Sequence, residues 1–157
     1  MKSYAVVALF NSLDIGAIIS RRAWPAHVTL ASNFTTDVLG DQITAVVAEV
    51  DPLAEPLIVR FGEHALFGPN HDVPVRLVDS EQALSVHRRL ADQLESLPGF
   101  SAEEAAYWRD GYYPHLTLDP SVTAAEGDRE TATCVTVVEI LDTHAKILAA
   151  FHAPDAR

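Results

Sequence analysis

Two short stretches of this chain repeat one pattern: Trp24-Pro25-Ala26-His27-Val28-Thr29-Leu30 and Tyr113-Pro114-His115-Leu116-Thr117-Leu118. Both run from proline to histidine, then aliphatic, threonine and leucine, and such a duplication points to two copies of one structural unit. Side chains alternate between faces along a strand. His27 and Thr29 therefore share one face, with Val28 and Leu30 on the other; His115 and Thr117 stand likewise against Leu116 and Leu118. The aliphatic pairs are expected in a core and the polar pairs in a cleft. Pro25 and Pro114 fit strand entrances, where a missing amide donor does little harm.

The pattern demands a fold able to bring two remote strands together, and 157 residues suffice for that. A chain of this length buries roughly two thirds of its unfolded surface, so it needs neither a disulfide nor a metal staple. Cys134 is the only cysteine and lies among Ala132, Val135 and Val137, which predicts an inert buried thiol and a reducing compartment. The first residues lack a convincing signal peptide, and no stretch reaches the roughly 18 apolar residues of a membrane span. The expectation is a soluble cytoplasmic protein with no membrane partner.

The formal net charge is −11, from 22 acidic and 11 basic residues. Polynucleotide binding rests on a basic footprint that releases counterions. A long RNA is disfavoured unless Arg21, Arg22, Arg60, Arg76, Arg88, Arg89 and Arg109 cluster in space. A small phosphorylated, nucleotide-like substrate is easier to reconcile with this charge.

Along the chain, Ala5 to Phe10 predicts a buried strand and Leu13 to Arg22 a short helix. The first histidine strand spans about 26–34. A helix follows from about Val38 to Val50, capped from Thr35, Thr36 or Asp37 and stopped at Asp51-Pro52. Pro56 to Phe61 and Val73 to Val78 read as strands joined by an irregular segment with Gly68, Pro69 and Asn70. Ala83, Val86, Leu90, Leu94 and Leu97 form the stripe of the clearest helix, capped by Asp79 or Ser80. Ser101-x-x-Glu104 has the form of a capping box for a short helix closing at Gly111. The second histidine strand spans about 113–119, and Ala132 to Leu141 with Lys146 to His152 predicts a hairpin. No flexible linker divides the chain, so residues 1–157 are expected to form one bilobal domain, with one histidine strand per lobe.

Imidazole titrates near neutrality, so a facing pair can hold one base and one acid. Hydroxyls beside them can donate to the non-bridging oxygens of a phosphate ester. His27 and His115 are therefore the candidate catalytic residues, and Thr29 and Thr117 the candidate phosphate ligands. A metal site is disfavoured: His64 and His71 flank a loop with Glu63 and Asp72 but lack ligand spacing. Phe34, Phe67, Tyr112, Tyr113 and Arg109 lie near enough to the motifs to be candidate substrate contacts. His87 adjoins the apolar stripe and is expected to be partly buried, whereas nothing assigns a role to His144 or His152.

These residues resemble the 2H phosphoesterase superfamily, which includes bacterial 2′-5′ RNA ligases and 2′,3′-cyclic phosphodiesterases. The resemblance rests on His27-Val28-Thr29-Leu30, His115-Leu116-Thr117-Leu118, their prolines and the order of elements around them. It implies an α+β fold of two pseudo-symmetric lobes, mostly antiparallel sheet with outer helices and a central cleft. It also implies chemistry without metal or cofactor, with both His-Thr pairs in the active site. RNA-acting relatives often carry a basic residue shortly after the second motif, where this chain has Asp119-Pro120. Hydrolysis of a cyclic phosphate or small 2′-5′-type phosphodiester is the leading expectation. Behind it stand RNA-end ligation or processing, and a nucleotide-binding module with little turnover.

Overall fold

Every ladder among the described residues is antiparallel. The computed structural model describes residues 2–153. Its strands are β1 (Lys2–Leu9), β2 (Ile18–Ser20), β3 (His27–Thr36), β4 (Ile58–Phe67), β5 (Val73–Asp79), β6 (Ser101–Ala102), β7 (His115–Thr117), β8 (Arg129–Thr131), β9 (Cys134–Ile140) and β10 (His144–His152). The helices are α1 (Gly40–Val50) and α2 (Glu81–Leu94). The strands form one curled sheet in the order β2-β10-β9-β1-β3-β7-β5-β4-β8, with β6 attached to β3. This is the expected α+β architecture, and the two histidine strands lie next to each other at its middle.

Apolar alternation explains which face each element buries. On one face, Ala83, Val86, Leu90 and Leu94 of α2 and Ile43, Val47 and Val50 of α1 pack with Tyr4, Leu30 and Phe34. Burying a Leu such as Leu90 contributes about 1.5–3 kcal/mol. On the other face of β1 lie Val7, Leu9, Ile19, Cys134 and Ile147, covered in part by Leu13, Ala17 and Trp24. A third cluster joins Val28 and Leu116 to Val59, Phe61 and Val78. Cys134 is fully buried, as expected, and burial pushes its thiol pKa up.

Several local expectations are overturned. Leu13 to Arg22 is not helical: Gly16 adopts φ +89° and its N–H bonds to Ile147 O, after which Ile18–Ser20 joins the edge of β10. The left-handed conformation at Gly16 breaks a helix, and the free edge of β10 supplies the backbone partners instead. Thr36 does not cap α1; it ends β3 and its hydroxyl donates to Pro98 O, while Leu39 precedes the first turn. The anticipated capping box at Ser101 is replaced by the Ser101–Thr35 ladder and two single 3-10 turns, Ala105–Tyr107 and Arg109–Gly111. Strand β4 also runs on to Phe67, past a register shift between Phe61 and His64. That irregularity hides the alternation, so His64, expected in a loop, sits on a strand opposite Arg76. Ser80 does cap α2, accepting the Ala83 N–H at 3.1 Å.

Candidate active site

The site is built around one cross-strand pair. Val28 of β3 faces Leu116 of β7, and both side chains are buried. In an antiparallel ladder the flanking residues then oppose crosswise, Thr117 beside His27 and His115 beside Thr29. Because neighbours alternate faces, all four polar side chains project from the face opposite Val28 and Leu116. The sheet continues outward from this centre, with Leu9 beside His27 and Val7 beside Thr29 on β1, and with Leu77 beside His115 and Val75 beside Thr117 on β5. Two His-x-Thr motifs from remote segments thus form one cluster at the middle of the sheet.

Both imidazoles are held in the same way. His27 Nδ1 lies 2.8 Å from Pro25 O, and His115 Nδ1 lies 2.8 Å from Tyr113 O. A carbonyl only accepts, so each Nδ1 carries the proton and donates it, which leaves each Nε2 to exchange a proton in the cleft. Each ring also leans on an aromatic neighbour: Trp24 at 4.9 Å from His27, and Phe67 edge-on at 4.7 Å from His115. Burial lowers the pKa of His27, against a raising contribution from its Pro25 bond, and the nearby His115 lowers it further. Burial likewise lowers His115, opposed by its Tyr113 bond. Both rings therefore favour the neutral form in the free protein.

Two cavities flank this cluster and share Thr29 and Asn33. On the His115 side is a cavity of about 230 Å³ with Phe67, Tyr107 and Tyr113 in its wall. Phe67 and Tyr107 stack at 6.0 Å, and Tyr113 is 50 % exposed. On the His27 side is a cavity of about 210 Å³ lined by Arg21 and Trp24 as well as His27. Arg21 Nη1 is anchored on the carbonyls of Leu141 and Asp142, both at 3.0 Å. Among the described residues, no three His, Cys, Asp or Glu side chains come together as a metal cage.

The candidate contacts divide. Phe67 and Tyr113 reach the cavity beside His115. Phe34 does not: it is 0 % exposed and packs against Tyr4, Phe100 and Trp108 in the core. Its place on β3 puts it on the face opposite the cleft. Arg109 does not either, because its guanidinium is engaged at 2.7 Å by both Asp92 on α2 and Glu95 at its C-terminal end. Tyr112 contributes to the cavity wall, but it is buried and its hydroxyl is committed to Thr29 O at 2.8 Å. Asp119 stays out of the cleft: its carboxylate accepts from the Ser121 N–H and hydroxyl and the Val122 N–H, which lowers its pKa.

Sequence reasoning did not single out Trp24, Asn33 or Tyr107, and Arg21 entered only as one arginine among several. Trp24, three residues before His27, carried a local signal. Tyr107 carried none, because the 3-10 turn that delivers it is invisible in periodicity. His87, expected to be partly buried, is 1 % exposed and wholly inside.

An antiparallel α+β sheet that joins two His-x-Thr strands at its centre is the architecture of the 2H phosphoesterases. The chain belongs to the 2′-5′ RNA ligase superfamily, whose family model matches residues 16–153. Solved structures share the fold. The Thermus thermophilus protein TT0787 aligns with TM-score 0.61 and 19% identity over 97% of each chain. A structure described as a phosphoesterase aligns with TM-score 0.61 and 13% identity, over 99% of this chain and 100% of its own. E. coli LigT in complex with 3′-AMP aligns with TM-score 0.56 and 12% identity, over 98% and 99%. No curated protein matches the chain by sequence. Among the described residues no helix is long and apolar enough to cross a membrane.

Proposed function

We propose that this protein is a metal-independent phosphodiesterase that opens a 2′,3′-cyclic phosphate or a small 2′-5′-type phosphodiester. The observation that carries this reading is the pairing of Val28 with Leu116, which brings the two His-x-Thr motifs side by side, each histidine bonded through Nδ1 to a carbonyl. In the reaction, one neutral imidazole takes a proton from water as the water oxygen bonds to phosphorus. The other imidazole, protonated, gives its proton to the ribose oxygen as the phosphorus–ribose bond breaks. Thr29 and Thr117 donate to the non-bridging oxygens, whose charge rises in the transition state. The two histidines end with exchanged protonation and reset through solvent.

In this reading residues 1–157 act as a single domain, one His-x-Thr strand from each lobe, and need no cofactor. The cavity of Phe67, Tyr107 and Tyr113 takes a nucleobase against its aromatic wall. The structures of LigT with 3′-AMP and with NADP+ support a nucleotide-sized ligand. The lone buried Cys134 supports a reducing, cytoplasmic setting. The family description also supports RNA-end ligation, in which a ribose 5′-hydroxyl takes the place of water in the same proton transfers; the net charge of −11 favours the small substrate.

The test is hydrolysis of 2′,3′-cyclic mononucleotides in EDTA, followed by chromatography. His27→Ala and His115→Ala each lower the rate by about 10² to 10⁴ while nucleotide binding persists. Full activity in either variant, or loss of wild-type activity to the chelator, overturns the proposal.

A further inference from the structure

We infer that His87 and Tyr112 are positioning residues that tie the two motifs together from behind the site, an inference that rests on the two-histidine reading above. Along the edge of β3, β7 pairs only at Val28 and β6 only at Phe34 and Thr35. Between them runs a stretch with no strand on that side among the described residues. The register of β3 against β1 also slips there, from Val6–Ala31 to Val7–Thr29, leaving Leu30 as an extra residue. Such a bulge turns backbone groups out of the ladder and re-aims neighbouring side chains. It falls immediately after the first His-x-Thr motif.

Two side chains take the carbonyls at this gap. Tyr112 donates its hydroxyl to Thr29 O at 2.8 Å, and His87 donates Nδ1–H to Leu30 O at 2.7 Å. The two rings are stacked, 4.0 Å between centroids and 6° apart in plane. The other nitrogen of His87, Nε2, accepts the Arg109 N–H at 3.0 Å. Arg109 itself adopts φ +59°, a left-handed conformation uncommon for a side-chain-bearing residue. Its guanidinium bonds to Asp92 and Glu95 clip the same turn to α2. Both nitrogens of His87 are therefore used, one for each motif's segment.

Chain connectivity turns these bonds into a link between the motifs. Tyr112 precedes Tyr113, whose carbonyl orients the His115 ring. The same Tyr112 hydroxyl holds the backbone of Thr29, the candidate phosphate ligand. Val28–Leu116 is the single ladder pair between β3 and β7 among the described residues. A single pair leaves the strands free to splay; the His87–Tyr112 stack supplies a second tie.

Tyr112→Phe tests this with little risk to folding, since it removes one oxygen and keeps the ring stack. His87→Asn is the companion variant. In the folded Y112F protein we expect kcat on a 2′,3′-cyclic nucleotide to fall about tenfold, within the cost of roughly 10² for a 1 Å misplacement, with KM nearly constant. Amide hydrogen exchange at Thr29 and Thr117, whose N–H groups flank the Val28–Leu116 pair, should accelerate by a similar factor. Wild-type kcat together with wild-type exchange in folded Y112F overturns the inference. The exchange measurement needs no turnover, so it decides the inference even where no cyclic nucleotide proves to be a substrate, an outcome that defeats the functional proposal alone.

Discussion

His27 and His115 make the same hydrogen bond to the same kind of partner, Nδ1–H to the carbonyl two residues upstream, at 2.8 Å in each case. In the proposed mechanism this equivalence lets either ring serve as acid or base. His115 also lies close enough to lower the pKa of His27, behind the larger effect of burial.

This coupling sets the pH profile. In the proposed mechanism the active form holds one proton on the pair. Burial shifts both rings below their ordinary 6.5, so kcat/KM, which reports the free enzyme, should form a bell with its maximum on the acid side of 6.5. A bound phosphate anion favours imidazolium, and the maximum of kcat should lie at higher pH than that of kcat/KM. Stopped assays from acid to mildly alkaline pH read both. A kcat/KM maximum above neutrality is the contrary result.

Folding stability should also fall in acid. His27, His87 and His115 all have pKa values lowered by burial from the ordinary 6.5. Below 6.5 the unfolded chain binds protons that the native protein resists, so stability declines as pH drops through 6.5 and the loss is complete below the folded values. His87 faces Arg109 and Arg88, which oppose its protonation, and Glu95, which favours it. Urea midpoints at about pH 7.5 and about pH 5.5 measure the slope. His87→Asn should flatten it, and an unchanged slope would show that His87 carries none of it.

Phe34 separates packing from binding. It fills the core between Tyr4, Phe100 and Trp108, so Phe34→Ala should cost about 3–5 kcal/mol of stability. Nucleotide affinity, measured well below the unfolding transition, should stay at the wild-type value. A large loss of affinity with stability intact would put Phe34 in the site.

Arg21 brings a guanidinium to the wall of the cavity on the His27 side, anchored on the Leu141 and Asp142 carbonyls. Arg21→Ala should raise KM for an anionic nucleotide about two- to fivefold, the equivalent of an exposed ion pair of up to about 1 kcal/mol. The effect should shrink as salt screens it. Titration calorimetry at two ionic strengths provides the check, and salt-independent binding in the variant and wild type alike would remove Arg21 from the site.

The duplicated His-x-Thr pattern was legible because strand periodicity is local: two residues on one face need only their own spacing. The α2 stripe, the Ser80 cap, the β9–β10 hairpin and the buried Cys134 were legible for the same reason, each being decided by neighbours within a few positions. What the chain alone did not reveal depended on partners remote in sequence. Leu13 to Arg22 has helical composition, but the open edge of β10 claims Ile18–Ser20 as a strand. Phe34 shares the alternation face of Val28 and Leu30, away from Thr29, and the packing of α1 and α2 on that face holds it in the core. Arg109 is drawn away from the cleft by the carboxylates of Asp92 on α2 and Glu95 at its C-terminal end. The two His-x-Thr pairs could be read from the one-dimensional pattern, whereas their meeting at Val28–Leu116, and the side chains that line and brace the cleft, exist only where the sheet closes distant segments on one another.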